Sequence, residues 1–140
     1  MDQEPLVNEK IEAGAAFLKA FGKYAKVKAA CWIKEADASK WHLYVASDDI
    51  TDAKVREGYG QVIQILRKKP SLYLNSFDIK LVSGDHPLVS DISELYKRYP
   101  APIPTRYGGS YFGGMSVDGV LIYPPAKVRK KKTKAKSLNR

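Results

Sequence analysis

The amino-acid sequence predicts an α+β domain: a mostly antiparallel sheet of about five strands with three helices, in the order αββαβαββ, followed by a disordered basic tail. Three observations carry this expectation. Apolar residues recur at helical spacing in three separate stretches, and at a period of two in others. Glycines and prolines punctuate the boundaries between those stretches. Beyond Pro125 the apolar pattern stops and lysine takes over. Residues 1–125 therefore read as a single α+β domain, and residues 126–140 as a disordered Lys/Arg-rich tail.

The first helix is expected from about Leu6 to Phe21, where Val7, Ile11, Phe17, Leu18 and Phe21 share one face. Ala13, Gly14, Ala15 and Ala16 favour close packing on a sheet, and Gly22 is a plausible stop. A hairpin follows. Val27, Ala29, Cys31 and Ile33 alternate with Lys26, Lys28, Ala30, Trp32 and Lys34, and Trp41, Leu43 and Val45 alternate with His42, Tyr44 and Ala46. If Cys31 pairs with Val45, Trp32 faces Tyr44 and Lys34 faces His42. The second helix is expected over about Asp52–Lys69, with Thr51 as N-cap, Val55, Tyr59, Val62 and Leu66 as its stripe, and Pro70 as its end. Phe77, Ile79 and Leu81 predict a third strand. Asp85 is the expected cap of a third helix over about Pro87–Tyr99, with Leu88, Ile92, Leu95 and Tyr96 inward. Pro100, Pro102 and Pro104 make an extended connector. A closing hairpin is expected to turn at Asp118-Gly119, pairing Val117 with Val120, Met115 with Ile122 and Gly114 with Tyr123.

The totals restrict the function classes. The chain has 140 residues, enough for one domain, with 44% hydrophobic and 28% charged residues, the profile of a globular protein. Its single cysteine, Cys31, excludes an intrachain disulfide, and one Cys with two His argues against a structural zinc site. No cofactor and no metal is expected. No apolar run approaches the roughly 20 residues that span a bilayer, so no membrane is expected as partner. The acidic start, Met1 to Pro5, lacks the basic and apolar regions of a signal peptide. The cytoplasm is the expected compartment, or the nucleus in a eukaryotic host.

Net charge is +9, but its placement decides more than its size. Of the 24 Lys and Arg, eight lie in the last fourteen residues: Lys127, Arg129, Lys130, Lys131, Lys132, Lys134, Lys136 and Arg140. That stretch has no acid, whereas residues 1–126 hold sixteen bases against fifteen acids. A flexible cationic segment binds polyanions by releasing their counterions. A second candidate is the sheet face bearing Lys26, Lys28, Trp32, Lys34, His42 and Tyr44, to which the third strand would add Lys80. Lysines interleaved with aromatics can hold phosphates and stack on bases. The competing reading buries Trp32 and Tyr44 under a helix as a cross-strand pair.

The segment Thr105–Gly114 holds two aromatic-Gly-Gly units beside Arg106. Arg106 with Gly108 and Gly109 could bind a phosphate or carboxylate, although the segment lacks the Walker lysine. Catalytic signals are weak. Asp48, Asp49 and the Asp78-Ile79-Lys80 run would suit a metal-dependent nuclease only if the fold brought them together. Cys31 sits mid-strand, and His86 precedes a helix start, where protonation opposes the dipole. No catalytic residue is assigned. These features predict a small non-enzymatic, nucleic-acid-associated accessory protein that uses its cationic tail and the aromatic/lysine face. The alternative is a small intracellular enzyme or ligand-binding domain with a pocket near Arg106. An acidic protein is the other partner a cationic tail would suit.

Overall fold

A computed structural model describes residues 5–124; the basic tail lies outside the described residues. Three helices, α1 (Asn8–Phe21), α2 (Val55–Lys68) and α3 (Pro87–Arg98), pack on a mixed, mostly antiparallel sheet of six strands, so the class is α+β. The strands are β1 (Ala29–Glu35), β2 (His42–Ser47), β3 (Ile79–Ser83), β4 (Thr105–Tyr107), β5 (Tyr111–Phe112) and β6 (Met115–Ile122). Their order is β3-β2-β1-β6-β4, with β5 also paired to β6. The α2 crossover makes β2 and β3 parallel.

Both faces of the sheet are covered, which makes two cores. One holds Trp32, Leu43, Val45, Leu81, Leu121 and Tyr123 beneath α1 and α2. The other holds Cys31, Ile33, Tyr44, Ala46, Val120 and Ile122 beneath α3, which contributes Leu88 and Ile92. This arrangement corrects the strand register. Cys31 pairs with Tyr44 and Trp32 with Leu43, one residue away from the expected pairing. Because side chains alternate between faces, Trp32 and Tyr44 point to opposite sides. A strand buried on both faces has apolar residues at both parities, so a period of two cannot fix its register.

The closing hairpin is also elsewhere. Asp118 and Gly119 lie inside β6, not at a turn. There Lys34 pairs with Gly119 and Glu35 with Val117, which leaves Asp118 as the extra residue of a β-bulge. The ring of Trp41 lies against Gly119, where a side chain would collide with it. The tight turn joins β5 to β6 at Gly113-Gly114, with Phe112 paired to Met115. Both glycines have positive φ, 62° and 80°, the requirement of a two-residue type I′ turn.

Smaller differences have local causes. The α2 helix starts at Val55 rather than Asp52, because residues 52–54 form a turn in which the Lys54 amide donates to the Thr51 carbonyl. The cap of α3 is His86, whose Nδ1 accepts from the Leu88 amide at 3.1 Å. Phe77, expected in the third strand, sits on a 3-10 turn (Ser76–Asp78) that precedes β3 and is 84% exposed.

A close approach ties α1 to the sheet. Trp32 Nε1 is buried and donates to the Tyr123 hydroxyl at 2.9 Å, which in turn donates to the Ile11 carbonyl at 2.6 Å. Gly14 faces this hydroxyl, and a Cβ there would stand 2.3 Å from it. Gly14→Ala should therefore destabilise the protein by about 1–3 kcal/mol in urea titration, through overpacking and loss of a buried hydrogen bond. Helix propensity alone predicts the opposite sign, a gain of up to about 1 kcal/mol, so a stabilised variant would disprove the contact.

Candidate nucleic-acid interface

The sheet face expected to bind nucleic acid does not exist as an open surface. Trp32 has no exposed area and lies under α1, with Lys10 Nζ 5.9 Å from its ring centroid. Tyr44 is buried on the α3 side. Lys34 is only 4% exposed and is held by Asp118 at 2.9 Å. Lys28 pairs with Asp48 at 3.3 Å, and Lys26, although exposed, gives its backbone amide to Asp49. Of the expected set, Lys26 and Lys28 remain at the surface; the rings do not.

Arg106 projects from β4. Its Nη2 donates to the Leu6 carbonyl at 2.7 Å, and its guanidinium lies 5.9 Å from the Trp41 ring centroid. It thus fixes the chain entering α1 while remaining an exposed residue. Gly108 and Gly109 are exposed, Gly109 with φ 135°, and nothing approaches their Cβ positions. The acids are not brought together either. The parallel register places Asp78 at the start of β3 and Asp48-Asp49 just past the end of β2, at opposite ends of the sheet. Among the described residues no group of three or more His, Cys, Asp and Glu could hold a metal ion.

A polar cluster lies on the α3 side of β1, β2 and β3. The Tyr44 hydroxyl donates to Glu35 at 2.7 Å, Lys80 stands 3.6 Å from the same carboxylate, and Lys80 Nζ lies 5.6 Å from the Tyr44 ring centroid. The Tyr44 hydrogen bond, aided by Lys80 and His42, holds the Glu35 carboxyl below the usual range. Burial, then Glu35, pushes the Tyr44 phenol up, while burial and Lys80 push His42 down. Burial also raises the Cys31 thiol. Nucleophilic and acid–base chemistry use groups tuned toward neutral pH. Here Tyr44 and Cys31 are moved away from it.

Exposed aromatic residues lie elsewhere: Tyr99 after α3, Tyr111 in β5, and Tyr73 and Phe77 together in the segment between α2 and β3. Ser71 and Leu74 form an isolated β-bridge, with Leu72 and Tyr73 at the tip. Leu72 is 96% exposed, and Tyr73, Phe77 and Ile63 are exposed as well. The segment holds its own shape. Ser71 Oγ accepts from the Tyr73 amide, Asn75 Oδ1 from the Phe77 amide, and Asp78 Oδ2 from the Asn75 amide. Between the Ser71–Ser76 segment and the end of α2 runs an open groove of about 320 Å³, lined by Ile63, Leu66, Arg67, Ser71, Leu74 and Asn75 among others. The sequence carries a signal for this shape in Asn75 and Asp78, three apart, which close a capping box. Reading Phe77 as a strand residue hides it.

No known protein family, curated protein or solved structure matches the chain. No helix among the described residues is long and apolar enough to cross a membrane.

The Tyr44–Glu35 bond sets a pH dependence. Glu35 titrates lower in the folded state, so its contribution is complete above its unfolded pKa of about 4.3 and fades as pH falls through the folded value. Tyr44→Phe should cost about 1 kcal/mol at pH 7, a modest figure because Glu35 is more than a third exposed. That deficit should shrink on acidification below about pH 4. Parallel stability profiles for the variant and the wild type would show that the bond does not act.

Proposed function

We propose that the protein is a small non-enzymatic accessory protein that associates with nucleic acid through its cationic tail. The observation that carries this reading is the partition of charge: eight bases and no acid in residues 127–140, against a body that is close to neutral. A neutral body has little long-range attraction for a polyanion, whereas a run of lysines displaces condensed counterions wherever it meets phosphates. The pairing of Lys28, Lys34 and Lys80 with Asp48, Asp118 and Glu35 supports the same division, since these cations already have partners. The engagement of Arg106 by Leu6 and Trp41 weighs against a ligand pocket built around that residue. The Lys/Arg-rich stretch also suits nuclear targeting if the host has a nucleus.

The test is binding of labelled single-stranded RNA or DNA to the full chain across a salt series. The logarithm of affinity should fall with the logarithm of salt with a slope near roughly −0.7 per phosphate contact. Replacing all eight tail bases with Gln should flatten that slope sharply and leave the melting temperature of the body in place. A slope that survives the eight substitutions would move the binding surface to the body.

A further inference from the structure

The body carries a surface with the complementary chemistry. From Gly58 to Phe77 the sequence contains no acid, and Arg67, Lys68 and Lys69 stand together, exposed, where α2 ends. The Ser71–Ser76 segment shares a groove with Arg67, and Tyr73 and Phe77 of this stretch are exposed, with Leu72 at the turn tip. Exposed apolar surface gathered in one segment is a common mark of an interaction site. A ligand that engages both the rings and the cations must offer flat apolar faces and negative charge along one chain. Single-stranded nucleic acid does, with unstacked bases alternating with phosphates. In a duplex the base faces are already stacked on one another.

An anionic bilayer would also attract the three cations. It would, however, have to cover the hydroxyl and amide groups of Ser71, Asn75 and Ser76 along the groove without offering hydrogen bonds deeper in. Base edges can supply those bonds. The segment's internal hydrogen bonds also fix the backbone that carries the rings, so less ordering is left for binding.

We infer that the surface formed by the end of α2 and the Ser71–Phe77 segment binds single-stranded nucleic acid, with Tyr73 and Phe77 stacking on bases and Arg67, Lys68 and Lys69 holding phosphates. This rests on the proposed association with nucleic acid and adds to it a contact that does not depend on the tail. Pro124, from which the tail continues, follows β6 at the end of the sheet opposite the start of β3. The two contacts can therefore be removed separately.

The experiment uses the full chain with labelled oligothymidine and oligouridine of about 16 nucleotides, the length of one large single-strand site. A duplex of equal length and phosphatidylcholine vesicles containing phosphatidylserine serve as the other arms. Phe77→Ala and Tyr73→Ala should each weaken single-strand binding roughly 5- to 150-fold and leave the salt slope unchanged, because stacking releases few ions. Phe77→Trp should retain binding. If Phe77→Ala lowers the melting temperature, Phe77→Leu keeps apolar bulk without a ring and should still show the loss. The ring effect should persist in the variant with eight Gln in the tail. If the wild type binds single strands and all the ring variants bind as tightly, the surface is refuted and the tail reading stands. If the wild type binds vesicles and no nucleic acid, or binds nothing at low salt, both are refuted.

Discussion

The buried indole nitrogen of Trp32 is the point on which the architecture turns. A ring of this size in the central strand brings a large apolar area into the core, but its N–H loses water and must find an acceptor. Tyr123 supplies it, and its hydroxyl passes the bond on to the Ile11 carbonyl inside α1. One chain of two hydrogen bonds thereby joins β1, the residue after β6, and the first helix. It requires α1 to come close, and Gly14 is the residue that lets it. Tyr123, so fixed, anchors the body three residues before residue 126, where the Lys/Arg-rich stretch begins.

This central placement also explains which parts of the fold are legible in the sequence. The three helices are, because each has one buried stripe and one wet face: Phe17, Leu18 and Phe21 on α1, Gly58 and Val62 on α2, Leu88 and Ile92 on α3. The strands are legible as strands but not in register. β1 is buried along nearly its whole length, so neither parity is marked as the outside. The second layer of core is closed by α3 together with Phe112 of β5, and nothing local in the strands marks it. Asp118-Gly119 misleads for a related reason. The dipeptide suits a turn locally, but Gly119 is used for the space it leaves to Trp41 and Asp118 for its pairing with Lys34. Gly113-Gly114 satisfies the turn's dihedral demand at both positions, and a second glycine pair is the stronger signal when both central residues need positive φ.

The candidate site was less legible than the fold, and the reason is physical. Aromatic residues near lysines are ambiguous in sequence because exposure decides what they do. Trp32 and Tyr44 are large and sit at strand positions, and the strands turn out to be central. Tyr73 and Phe77 follow a helix-ending proline, Pro70, in a stretch with too few residues to complete another element before β3 begins. Apolar residues in such a short, self-bonded connection have no core to enter: Leu74 is buried and its neighbours are left outside. The pattern Leu-Tyr-Leu after a proline is thus as informative as any charge run, once the position of β3 is known.

The proposed tail and surface differ in the force each would use, and that difference gives the arrangement its logic. Counterion release is strong at low salt, indifferent to sequence and position, and steeply reduced as salt rises. Ring stacking is short-ranged and nearly independent of salt. Charges more than about 8 Å apart are largely screened at physiological ionic strength, so a near-neutral body would not guide a strand to its own rings. A tethered cationic segment raises the local concentration of that strand around the body, after which a small, rigid surface has only to supply contact. A domain that pairs Lys28, Lys34 and Lys80 with Asp48, Asp118 and Glu35 loses nothing by doing so under this division, because long-range attraction would fall to the tail, and the sheet is left free to be buried on both sides.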